Sequence, residues 1–129
     1  MKIFRDILLI GYLLALTSMC ITNVNPDIQL KKLDKTLVRV FRKLEKVSKC
    51  ELQITSGWRS ERRNKAVGGT PNSFHLMGKA VDVYPRKCSL TVSQLGSIAT
   101  RWFNGVIVYP GHLHIDIGKR KYHYLGKRK

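Results

Sequence analysis

Acidic residues are scarce in this chain: eight Asp and Glu stand against 24 Lys and Arg in 129 residues, a net charge of +16. Such an excess speaks about partners and solubility rather than fold. It suits an anionic polymer, whether cell-wall material, a membrane surface or nucleic acid. Cysteines number three, and none forms a C-x-x-C pair, which argues against a cysteine zinc site. Cys50 and Cys88 both flank predicted strands; a disulfide between them and two separate buried thiols are both compatible with that spacing. There are no internal repeats, and the basic C-terminus is the only biased segment. No nucleic-acid-binding motif is present, nor the interleaved aromatic platforms of a single-strand binder, so specific nucleic-acid recognition is not expected. The 43% apolar content excludes a disordered chain, and the length suits a single domain.

The first 24 residues read as an export segment. Lys2 and Arg5 form a positive n-region, and Ile7 to Cys20 is an uncharged apolar run of fourteen residues. That is short for a membrane span and typical of a signal h-region. No clean small-x-small cleavage triplet follows, and Met19 is large for a lipoprotein box before Cys20. Cleaved signal, uncleaved anchor and lipidated Cys20 all stay open, with export common to the three.

From residue 25 to 118 the pattern is that of one α+β domain. Asn25-Pro26-Asp27 has the form of a helix start, with a cap, a proline at the first position and an acid for the dipole. Leu30, Leu33, Leu37, Val40, Phe41, Leu44 and Val47 follow at three- and four-residue spacing, predicting one long amphipathic helix whose other face is basic. Strands are predicted over Glu51 to Ser56 and Lys79 to Tyr84, the latter ended by Pro85, with a loop from Gly57 to Ser73 between them. Thr91-Val92-Ser93-Gln94 has capping-box form and opens a second helix, ended by Asn104-Gly105. Val106 to Tyr109 and His112 to Ile117 make a hairpin around Pro110-Gly111. The expected architecture is a small antiparallel sheet with helices packed on one side, and residues 119–129 are expected to be a solvated basic tail.

Against that background, three scarce groups are arranged to hold a metal. His75 precedes Asp82 by seven residues, and His114 follows in the hairpin. A catalytic zinc takes three such protein ligands and keeps a fourth position open. Strand alternation puts His112, His114 and Asp116 on one face. Hydrolytic chemistry at such a zinc also needs a base within hydrogen-bond reach of the attacking water. His112 is the first candidate; Asp116 is the alternative, or else the partner that orients His114. Arg59, within Ser56-Gly57-Trp58-Arg59-Ser60, has the planar fork suited to a substrate carboxylate or a developing oxyanion, and Ser73 is a second candidate substrate contact. His123, in the basic tail, is given no role.

These residues carry a resemblance. Ser56-Gly57-Trp58-Arg59-Ser60, Asn64, Ala66-Val67-Gly68-Gly69, Pro71-Asn72-Ser73-x-His75-x-x-Gly78-x-Ala80-x-Asp82 and His112-x-His114 resemble the zinc D-Ala-D-Ala carboxypeptidase and L-alanyl-D-glutamate peptidase family, which shares its fold with the hedgehog signalling domain. The resemblance covers roughly residues 28–118. It implies zinc held by His75, Asp82 and His114, and cleavage beside D-amino acids in peptidoglycan peptides, an activity used by bacteria and their phages. Several members carry an acidic base three positions before the last ligand, where this chain has Gly111; others place a histidine two before it, as His112 stands here. The resulting expectation is an exported, monomeric zinc metallopeptidase of the cell wall, held to anionic wall or lipid surfaces by its charge. A catalytically silent zinc- or wall-binding domain of the same fold is the alternative.

Overall fold

The computed structural model describes residues 28–126. The expected export segment with Cys20, the expected helix start at Asn25-Pro26-Asp27 and the last three residues lie outside the described residues. Within them, in chain order, come α1 (Lys35–Ser48), β1 (Glu51–Ser56), α2 (Glu61–Ala66), β2 (Ala80–Arg86), α3 (Val92–Ala99), β3 (Gly105–Val108), β4 (Leu113–Asp116) and β5 (Tyr122–Leu125). Short 3-10 turns occupy Leu30–Lys32 and Phe74–Met77. Among these residues no helix is long and apolar enough to cross a membrane.

The strands form one five-stranded sheet in the order β1-β2-β4-β3-β5. The first three pairings are antiparallel, as expected, but β5 pairs with β3 in parallel, so the sheet is mixed. The C-terminal segment is therefore not simply a solvated tail: Tyr122 to Leu125 is an edge strand, in register with Gly105 to Val108. Aromatic residues at alternate positions favour a pleated ladder, and the neighbouring lysines obscured that signal.

Period-two alternation divides the sheet into two faces with different work. Val81 and Val83 of β2, and Leu113 and Ile115 of β4, point to one side and are at most 1% exposed. They meet Leu37 and Leu44 of α1 and Leu95 and Ala99 of α3, equally buried, in a single core. Each of these Val, Leu and Ile side chains contributes about 2 kcal/mol by leaving water, which fixes α1 and α3 against that face. The residues between them, Asp82, His114 and Asp116, are left for the opposite face.

Two helix boundaries differ from expectation. The first helix starts at Lys35 rather than near residue 26, because the Asp34 carboxylate caps it, accepting from the backbone N–H groups of Thr36 (2.7 Å) and Leu37 (3.4 Å). Leu30 and Leu33 pack against the same core from outside the helix, which is why a continuous stripe was readable across the break, while Val47 is exposed and Ser48 buried. The second helix has the expected Thr91–Gln94 capping box but stops at Ala99, and Gly105 opens β3 instead of ending the helix. Pro85 lies inside β2, opposite Leu52, beyond the stretch that pairs with β4, so its missing N–H breaks no ladder on that side. The loop after β1 contains α2, capped by the Ser60 hydroxyl accepting from Arg63 N–H. Cys50 and Cys88, at the outer ends of β1 and β2, are joined in a disulfide with a Cα separation of 4.5 Å.

Candidate metal centre

The register of the two central strands builds the site. Asp82 on β2 sits directly opposite His114 on β4, and His114 Nδ1 lies 2.8 Å from Asp82 Oδ1. His75 arrives from the 3-10 turn just before β2. Ser73 starts that turn by accepting from His75 N–H, and Gly78 ends it in the left-handed region (φ 66°). A side chain at Gly78 would collide with the Lys32 carbonyl, so the close packing of this turn on the Leu30–Lys32 segment requires glycine. Asp34 N–H to Gly78 O (2.9 Å) and Arg59 N–H to His75 O (3.0 Å) tie the turn down from both sides.

His75 is 2% exposed. Its Nδ1 lies 2.7 Å from the Gly57 carbonyl, which can only accept, so that nitrogen carries the proton and donates. Nε2 is thereby left as a lone-pair donor, 3.4 Å from Asp82 Oδ1. On the other side His114 Nε2 donates to Asp116 Oδ2 at 3.2 Å, leaving Nδ1 to face inward. Ligand atoms from His75, Asp82 and His114 all fall within 4.8 Å of one another. Zinc bonds of ~2.1 Å in tetrahedral geometry separate ligand atoms by roughly 3.4 Å, so two neutral imidazoles and a carboxylate at these spacings fit a zinc ion. Both outer nitrogens are held by acceptors, which fixes the tautomers such a centre needs.

The electrostatics follow from that packing. Burial alone would raise the Asp82 pKa, but hydrogen bonds and charge from His114 and His75 outweigh it and hold the carboxyl well below its usual range. Burial works against a charged His114, yet its bonds to Asp116 and Asp82 push its pKa up to about 9. Asp116 is fully buried; desolvation is outweighed by donors from His114, Tyr122 and Gly118, and its pKa falls. Tyr122 moves the opposite way, raised by burial and by the Asp116 carboxylate that accepts from its hydroxyl.

The other expected site residues fall around this centre in different ways. Arg59 Nη2 lies 2.8 Å from Asp82 Oδ2, and its Nε donates to Ser56 Oγ at 2.9 Å. The guanidinium thus grips the outer oxygen of Asp82 and leaves Oδ1 to the two imidazoles, a closer link to the metal ligands than its expected substrate role foresaw. His112 lies before β4 rather than within it, its ring stacked on Tyr109 at 4.4 Å, and it lines the cleft above His75, Asp82 and His114. Both oxygens of Asp116 are occupied by His114, Tyr122 and Gly118, and it does not line the cleft. That geometry suits the second of its two expected tasks, orienting His114. Ser73 borders the cleft while its hydroxyl caps the His75 turn.

The cleft measures about 860 Å³, with Arg59 and His112 on its walls, together with Tyr109, Tyr122 and Tyr124. Tyr122 and Tyr124 escaped the sequence reading, because their segment read as a charged tail. Tyr122-x-Tyr124 alternation was the signal available.

A family model described as Peptidase M15 matches residues 14–116, a span containing all three candidate ligands and Asp116. The observed α+β sheet is compatible with that family's fold, and the family is zinc-dependent. No curated protein matches the chain.

Proposed function

The chain belongs to the Peptidase M15 family, and from that premise we propose that it is an exported zinc peptidase cleaving peptidoglycan stem or cross-link peptides at bonds next to D-amino acids. The observation that carries this reading is the convergence of His75 Nε2, Asp82 Oδ1 and His114 Nδ1 on the floor of an open cleft. The substrate class rests on the S-x-H-x-x-G-x-A-x-D and H-x-H resemblance to enzymes of that specificity.

His75, Asp82 and His114 would hold the ion. Zinc at such a position acts as a Lewis acid that polarises a carbonyl and acidifies water. The residues of the chain supply the rest. His112, on the cleft wall and braced by Tyr109, takes the proton of the attacking water and returns it to the leaving amine. Arg59 keeps Asp82 in place and presents cationic charge to the substrate carboxylate or the developing oxyanion. Ser73 borders the bound peptide.

Lys35, Arg39, Arg42, Lys43 and Lys46 form the outer face of α1, and this face anchors the monomer to anionic wall polymers or lipid headgroups. The Cys50–Cys88 disulfide supports an oxidising, extracytoplasmic location. Digestion of purified peptidoglycan followed by mass analysis of the products tests the reading. Released peptides or amino acids with the native chain, and none with His114→Ala, are expected. A native chain that binds zinc yet releases nothing would favour the catalytically silent domain instead.

A further inference from the structure

The strand that lies beyond the family match reaches back into the metal centre. Ala80, Asp116, Gly105 and Tyr122 stand side by side on β2, β4, β3 and β5. Ala80 and Gly105 are the small members of this row, and they flank the buried Asp116 carboxylate. A Cβ at Gly105 would strike both Asp116 Oδ2 and the Tyr122 hydroxyl, so glycine there lets Tyr122 reach across a whole strand. The Tyr122 hydroxyl donates to Asp116 Oδ2, the oxygen that also accepts from His114 Nε2. Gly118 N–H donates to Oδ1 at 2.7 Å. β5 is itself held to this row by Tyr122 N–H to Asn104 O (2.8 Å), and Asn104 N–H bonds Asp116 O (2.9 Å).

We propose that Tyr122 is a positioning residue for the metal centre, acting through Asp116 on the ring of His114. The inference rests on His114 being a metal ligand. A fully buried carboxylate stays put only when its lone pairs are met, and Tyr122 meets one of them without adding charge. Asp116 so fixed holds His114 with its proton on Nε2 and Nδ1 turned to the site. Outer partners of this kind are worth about 10- to 100-fold in metal affinity. The C-terminal strand is thus a working part of the centre rather than an appendage to it.

The test is zinc affinity of the full chain, measured by competition with a chromogenic chelator, alongside the visible spectrum of the cobalt-substituted protein. Tyr122→Phe keeps the ring and removes only the hydroxyl; it should bind zinc about 10- to 100-fold more weakly and change the cobalt spectrum. Tyr84→Phe, on the exposed part of β2, should leave both unchanged. Route is tested by a double-mutant cycle: in an Asp116→Asn background, Tyr122→Phe should add less than about threefold, because the two act in series. Unchanged affinity and spectrum in Tyr122→Phe would overturn the proposal. Full additivity with Asp116→Asn would overturn it too, since a merely structural strand would weaken binding independently of Asp116. A native chain without zinc affinity would instead sink the metal centre itself.

Discussion

Asp116→Asn removes a charge at a point where no rearrangement restores the bonds it made. The native carboxylate accepts from three donors: Gly118 N–H on Oδ1, and His114 Nε2–H and the Tyr122 hydroxyl on Oδ2. An asparagine has one accepting oxygen. Turned towards Gly118, it confronts His114 and Tyr122 with its own N–H groups; turned the other way, it sets an N–H against the Gly118 N–H. The second orientation leaves the buried Gly118 N–H without an acceptor, which costs about 1–3 kcal/mol of stability, while the first deprives the Tyr122 hydroxyl proton of its acceptor. The first orientation has a further effect. His114 then keeps its proton on Nδ1, the atom that faces Asp82, and a ligand nitrogen carrying a proton cannot bind metal. Loss of such an outer partner weakens affinity about 10- to 100-fold, or roughly 1.4–2.8 kcal/mol at 1.4 kcal/mol per decade. Thermal melting of the metal-free protein and zinc competition titration read the two effects separately. An Asp116→Asn protein that melts like the native chain and holds zinc within twofold of it would refute the orienting role.

His112→Ala should keep its zinc and lose about 10²- to 10⁴-fold in turnover, the usual contribution of a general base; release of the metal would mean that it is a ligand. Arg59→Ala should lower both peptide cleavage and zinc affinity, since its guanidinium holds the outer oxygen of Asp82; unchanged metal content with reduced cleavage would leave it a substrate contact alone. Because the His114 pKa is pushed up to about 9 and the metal requires the neutral ring, protons compete with zinc. This one group should make apparent affinity rise about tenfold per pH unit from neutrality and level off near pH 9, as titrations across that range would reveal. Cys50→Ser combined with Cys88→Ser opens a link across 38 residues, for which the chain-entropy relation gives about 4 kcal/mol, so chemical denaturation should show a loss of that order.

Much of the candidate site was legible before any coordinates because its candidate ligands are chemically rare in this chain and lie in a demanding motif. Strand alternation was enough to separate Val81 and Val83 from Asp82, and Leu113 and Ile115 from His114, and so to divide core from chemistry. Pairing was another matter. That β5 lies parallel to β3 depends on contacts between segments distant in sequence, and the lysines around Tyr122 read as solvated surface. The start of α1 was misjudged for a related reason: Leu30 and Leu33 bury into the same core as Leu37 from outside the helix, so burial continued across a break in the backbone made by the Asp34 cap. The contacts of Asp116 with Tyr122 and Gly118, and of Arg59 with Asp82, were not legible. Periodicity says which face a side chain takes; only neighbouring strands and turns decide whether it meets solvent, a carboxylate or an imidazole.

X-ray absorption at the zinc edge of the loaded protein looks most directly at the centre. Two imidazoles and one carboxylate oxygen at ~2.0–2.2 Å are expected, with imidazole scattering falling by half in His114→Ala. Sulfur in the coordination sphere, or a spectrum unchanged by loss of His75, Asp82 or His114, would contradict convergence of these three side chains on one ion.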